Sequence, residues 1–197
     1  MRLLLVIFFA VTACHAQTAP LELKGVVLGT TSGGEISKRW PGANVFGSTI
    51  LVRPGAIADK ACGSNVANES VRSCREPIIE SLRLAGRSAG SYAFFLIDGI
   101  VERAAIDFNI IGYDVVAGAL EQKYGVPTSK YIESKRTRLG GVFDSVTRKW
   151  DRPDGTIQLD QRGSVIDESQ LDIMSRKYID ATNVDAQRQK TEGAKKL

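Results

Sequence analysis

Residues 91–110, "SYAFFLIDGIVERAAIDFNI", carry the strongest structural signal in the chain. Two β-prone runs flank Asp98-Gly99, a dipeptide favoured in the type I′ turn because both central residues there take positive φ. On the second run Ile100, Ala104, Ile106, Phe108 and Ile110 alternate with Arg103, Asp107 and Asn109. That period of two predicts a strand with one face on a core and the other in water. The first run, Tyr92 to Ile97, is apolar on both faces and predicts an interior strand. An antiparallel hairpin is therefore the starting point of the fold.

Helices are predicted on both sides of it. In "GTTSGGEISKRWPG" (29–42), Ser32 and Glu35 stand at the capping-box spacing, Ile36 and Trp40 share a face, and Pro41 stops the helix. In "GYDVVAGALEQKYGVP" (112–127), Tyr113, Val116, Ala117, Leu120 and Tyr124 make one apolar stripe. Gly125 then supplies a left-handed exit, and Pro127 blocks continuation.

A second hairpin is expected from "GVFDSVTRKW" and "GTIQLDQ", joined through Asp154-Gly155, with "QLDIMSRKY" adding a last strand. Both helices follow a Gly and end at an aromatic residue near a Pro, which suggests an internal repeat. Gly29 to Gly99 spans 70 positions and Gly112 to Gly155 spans 43; the surplus of 27 is close to the length of 54–77. The expected architecture is α+β, with two related helix-plus-antiparallel-hairpin units whose sheet packs against the helices. The first unit would cover 21–110 with an insertion near 54–77, and the second 111–180. The polar remainder, 181–197, has no apolar stripe and is expected to be a flexible tail.

The N-terminus reads as an export signal at 1–16. Arg2 precedes the apolar run "LLLVIFFAVTA", too short to span a bilayer, and small residues follow. Cleavage after Ala16 would release a soluble periplasmic or secreted protein. Alternatively, "VTAC" is similar to a bacterial lipobox, and Cys14 would then be the lipidated first residue of an outer-membrane lipoprotein. Membrane contact is expected only in that case. His15, the single histidine among 197 residues, survives only in the lipidated form.

Past the leader the remaining cysteines are Cys62 and Cys74, twelve positions apart. In an oxidising compartment such a pair is most simply a disulfide, and closing a loop that short stabilises by about 3 kcal/mol. The composition, 43% hydrophobic and 24% charged, is that of a globular protein. The formal charge of +4 falls to +3 once Arg2 is removed, too weakly basic to predict nucleic-acid binding.

Three motif-like stretches invite catalytic readings. Gly86-Arg87-Ser88-Ala89-Gly90 fits the nucleophile-elbow spacing, but no histidine follows Ser88 to take its proton, and the segment leads into a strand instead of a helix. Gly29 and Gly34 match the outer glycines of a phosphate loop, yet Glu35 stands where the lysine is required. Asp151 to Gly155, "DRPDG", lacks the alternating ligands of a calcium loop and reads as a turn. No catalytic, metal or cofactor residue is assigned.

"LKGVVLGTTSGGEISKRWP", "FFLIDGIVERAAIDFNIIGYDVVAGALEQKYGVP" and "RKWDRPDGTIQL" together resemble small exported bacterial proteins. Their rhythm is similar to the superfamily of the β-lactamase-inhibitory protein and the small lipoprotein subunit of the outer-membrane barrel-assembly machine. The likeness implies the α+β arrangement over most of 21–180 and transfers no functional residue. The expected function is a non-catalytic exported module that binds a protein or envelope component through a sheet face or the insertion. The alternative is a hydrolase of envelope or extracellular glycans using two carboxylates, which needs no histidine.

Overall fold

The computed structural model describes residues 19–54, 57, 83–87, 89–136 and 140–194. A small hairpin, β1 (Glu22–Leu23) and β2 (Val26–Val27), precedes helix α1 (Gly33–Arg39). Strands β3 (Asn44–Phe46), β4 (Thr49–Val52), β5 (Ala89–Ile97) and β6 (Ile100–Asn109) follow. A 3₁₀ turn at Ile110–Gly112 leads into α2 (Tyr113–Tyr124). Then come β7 (Ser129–Arg136), β8 (Val142–Arg152), β9 (Gly155–Asp160), β10 (Glu168–Ser175) and α3 (Arg176–Ala194). Eight strands form one antiparallel sheet in the order β3-β4-β5-β6-β10-β9-β8-β7. The chain is an α+β protein.

The Asp98-Gly99 turn forms as its residues require, with φ of +54° and +77° and Ile97 facing Ile100. Alternation then sorts side chains into rows across the sheet. One row is Ile50, Phe94, Ala104, Ile173, Ile157 and Trp150; the next is Val52, Tyr92, Ile106, Leu171, Leu159 and Arg148. Every apolar member of both rows is buried. These rows are the floor of the core.

Both helices lie on that floor because each carries one apolar stripe. The α1 capping box is complete: the Glu35 amide donates to Ser32 Oγ at 3.3 Å, and the Ser32 amide donates to Glu35 Oε2 at 2.7 Å. At its other end Trp40 stacks on Phe94 at 5.5 Å between centroids, a contact worth about 0.5–1.5 kcal/mol beyond area burial. In α2 the stripe Tyr113, Val116, Ala117, Leu120, Tyr124 is buried as the spacing predicts. Gly125, φ +83°, ends the helix, and Trp150 Nε1 donates to its carbonyl at 2.7 Å. Arg148 is the polar exception in the floor: it meets Glu121 at 2.6 Å and lies 5.5 Å from the Tyr113 ring centroid.

Several expectations need correction. The β8–β9 turn is Pro153-Asp154, one residue earlier than expected, since Arg152 faces Gly155. Gly155 serves close packing instead: a Cβ there would lie 2.0 Å from the Met174 carbonyl oxygen and 2.7 Å from Leu21 Cδ1. The spacing comparison also fails. Gly99 joins the third and fourth strands after α1, whereas the Pro153-Asp154 turn joins the second and third after α2. The two intervals therefore compare unlike turns, and their surplus does not measure an insertion. The polar segment after Tyr178 is helical as far as Ala194, started by the Tyr178 amide donating to Ser175 Oγ at 3.1 Å.

Two pieces of sheet have no counterpart in the sequence reading. β3 and β4 are three and four residues long. β7 has no apolar face, and none of its residues is buried. The expected export signal at 1–16, with Cys14 and His15, and Cys62, Cys74 and Ser88 lie outside the described residues.

Gly155→Ala is expected to destabilise by about 1–3 kcal/mol, because the new methyl meets backbone. Gly118→Ala, in mid-helix with nothing within 4 Å of the added Cβ, should stabilise by about 0.5–1 kcal/mol. Urea denaturation of the two variants against the parent checks both signs.

Candidate functional site

The face of the sheet away from α1 and α2 is the surface on which the fold gathers polar chemistry. Its rows follow from the same registers. Thr49, Phe95, Arg103, Met174, Thr156 and Asp151 form one; Leu51, Ala93, Ala105, Asp172, Gln158, Lys149 and Ser129 form the second. Ser91, Asp107, Gln170, Asp160, Thr147 and Tyr131 form the third. Most of these side chains are half-buried, since each is flanked by neighbours about 4.8 Å away on adjacent strands. Among the described residues only the first turn of α3 comes down on this face, through Tyr178.

Tyr178 meets one cation, Arg103. Arg103 binds Asp172 through two bonds, Nε to Oδ1 at 2.5 Å and Nη2 to Oδ2 at 3.0 Å. Its guanidinium carbon lies 4.6 Å from the Phe95 ring centroid and 5.6 Å from that of Tyr178, and Nη1 donates to the Tyr178 hydroxyl at 3.3 Å. Burial favours loss of the Arg103 proton, but the Asp172 and Tyr178 bonds outweigh it and hold the group above its ordinary range. Arg103 stays charged and joins α3 to the sheet.

Among the described residues four aspartates stand on this face, and they fall into two classes. Asp172 has Arg103, and Asp151 has Lys149 at 2.9 Å. Asp107 accepts from Ser91 Oγ at 3.1 Å; Asp160 accepts from Thr147 Oγ1 at 2.5 Å and from Gln158 Nε2 at 2.9 Å. Among the described residues neither Asp107 nor Asp160 forms an ion pair. Both flank Gln170 in one row, their backbones about 10 Å apart across two strand spacings. Neutral donors aim these carboxylates without neutralising them.

The motif-like stretches take structural roles. Leu84 to Arg87 is a tight turn, with each end's amide bonded to the other's carbonyl at 2.8 Å, and β5 begins at Ala89. The element that follows is a strand, where a nucleophile elbow requires a helix. Glu35 caps α1, and hydrogen bonds from the Ser32 backbone and then its side chain hold its carboxyl below the ordinary range. In "DRPDG", Asp154 accepts from Arg152 Nε and Nη2, both at 2.9 Å. Arg152 Nη2 also reaches the Ala19 carbonyl at 2.6 Å. These carboxylates tie the hairpin down.

Among the described residues, three clefts lie elsewhere. One of about 400 Å³ borders α1 and holds Glu35; another of about 280 Å³ lies between α2 and β1 and holds Glu22; the third, about 290 Å³, lies beside Arg83 and Arg87. Each of them holds at most one carboxylate. Among the described residues no group of three or more His, Cys, Asp or Glu is placed to hold a metal, and no helix is long and apolar enough to cross a membrane. The sequence pattern supplied Asp107 through its alternation with Phe108, but nothing local placed it in a row with Asp160. Comparison with protein-family models, curated proteins and solved structures gives no match.

The Arg152 bonds hold the Asp154 carboxyl below its ordinary 3.8, and the Lys149 bond does the same for Asp151. A depressed folded-state pKa adds stability that is full above the unfolded value and lost as pH falls through the folded one. Stability should therefore drop below about pH 4. Asp154→Asn should make that drop shallower in denaturation midpoints taken from pH 6 to pH 2.

Proposed function

We propose that the chain is an exported, non-catalytic binding module of the bacterial envelope, engaging a protein through the open face of its sheet. The observation that carries this reading is the Asp107–Gln170–Asp160 row. It presents two carboxylates, held by neutral donors and lacking an ion pair among the described residues, beside an amide with both donor and acceptor. A frame of eight paired strands spends little further entropy on binding, which favours rigid recognition. The chemistry suits a partner surface carrying a Lys or Arg side chain, with charge complementarity setting register and encounter rate.

The sheet is read as two related units. α1 precedes β3 to β6 and α2 precedes β7 to β10, and the strand order is mirrored about the β6–β10 pair. Cofactors have no part in this function. Export rests on the basic head and short apolar run of the leader.

The charge-reversed pair Asp107→Arg with Asp160→Arg should reduce partner recovery from an envelope extract at least about tenfold, the loss expected for a repelled cation. Lys38→Glu, an exposed position on α1, should leave recovery unchanged. Equal recovery from both variants would sink the open-face reading. Intact mass of the mature chain should equal unmodified 17–197, as cleavage after Ala16 requires; a lipid increment on Cys14 would replace the soluble form with the anchored one.

A further inference from the structure

The two outer edges of the sheet are unlike. β3 is three residues long, and shortness is one way an edge is protected from pairing. β7 is eight residues long, contains no Pro, and keeps unbroken register with β8 from Ser129–Lys149 to Arg136–Val142. Among the described residues it pairs only with β8, and Ile132 at its middle is 65% exposed.

An edge of this kind can pair antiparallel with its copy about a two-fold axis normal to the sheet. Such an axis keeps like faces together, so it must pass through a residue position and not between two. With the axis at Glu133, carboxylates oppose each other and Lys130 faces Arg136. With the axis at Ser134, Ile132 faces Arg136. With the axis at Tyr131, Ile132 faces Lys130. Placing it at Ile132 sets Ile132 on itself, Tyr131 against Glu133, Lys130 against Ser134 and Ser129 against Lys135. Seven residues of each strand then pair, and no like charges stand directly opposite. Lys135 Nζ already donates to the Arg162 carbonyl, turned inward from the edge.

We propose that this face of β7 is a homodimer interface, with a second copy of the chain paired antiparallel about Ile132. Like charges disfavour the register about Glu133, and those about Ser134 and Tyr131 pair five residues of each strand instead of seven. Both copies keep their helices on one side, so two open faces join into one surface of sixteen strands. This assignment stands apart from the binding reading and does not require it.

Sedimentation velocity of the mature chain should show a monomer–dimer equilibrium that shifts with concentration. Ile132→Glu places like charges on the axis and should raise the dissociation constant at least about tenfold; Asp107→Arg with Asp160→Arg should leave it unchanged. Register is read from cysteine variants. Opposed Cα atoms lie about 4.5–5.5 Å apart in an antiparallel pair, within disulfide reach. Ile132→Cys should therefore give 132–132 linked peptides by mass spectrometry, and Ser134→Cys, which faces Lys130, should not. A wild-type chain that stays monomeric at every concentration overturns the proposal. So does a dimer indifferent to Ile132→Glu, or one in which Ser134→Cys cross-links as readily as Ile132→Cys.

Discussion

Pairing of β6 with β10 is the constraint on which the rest of the architecture depends. Seven consecutive residue pairs, Glu168–Asn109 to Met174–Arg103, join the strands that follow α1 to those that follow α2. On the core side this register sets Ile106 beside Leu171 and Ala104 beside Ile173, all buried. A slip of β10 by one residue would turn Leu171 and Ile173 outward and bring Gln170 and Asp172 under the helices. Burial of one face therefore decides the order of polar groups on the other.

On that other face, ordering comes from hydrogen bonds and not from packing alone. Arg103 is held by Asp172 and between two aromatic rings, and the same contacts start α3 on the sheet. Beyond Ala181, α3 is exposed on all sides, so its attachment rests on the first turn. The proposed binding row gains its rigidity from the same ladder, and its two carboxylates, without an ion pair among the described residues, are the electrostatic feature a cationic partner would meet.

The chain's path into the fold is also built into the sheet end. Arg152 lies 5.3 Å from the Tyr124 ring centroid and bonds both Asp154 and the Ala19 carbonyl. Tyr124 accepts the Glu22 amide at 3.3 Å and donates to the Glu22 carbonyl at 3.2 Å. Leu21 is buried and lies against Gly155, where the Met174 backbone carbonyl already leaves no room for a Cβ. Leu21 and Leu23 are thus an integral part of the core.

What the amino-acid sequence determined by itself was local. The capping box at Ser32 and Glu35, the α2 stripe, the Asp98-Gly99 turn and the alternation along β6 are each encoded within a few residues by side-chain size, charge and φ preference. β7 escaped because an edge strand with little to bury has no apolar period. The Pro153-Asp154 turn escaped because it is set by where Gly155 must pass Met174, a contact between distant residues. The open face belongs to the same class. Asp107 and Asp160 are 53 positions apart in the chain, and only the registers of β6, β10 and β9 bring them into one row. Hydrogen bonding across strands is non-local, so tertiary structure alone could decide it.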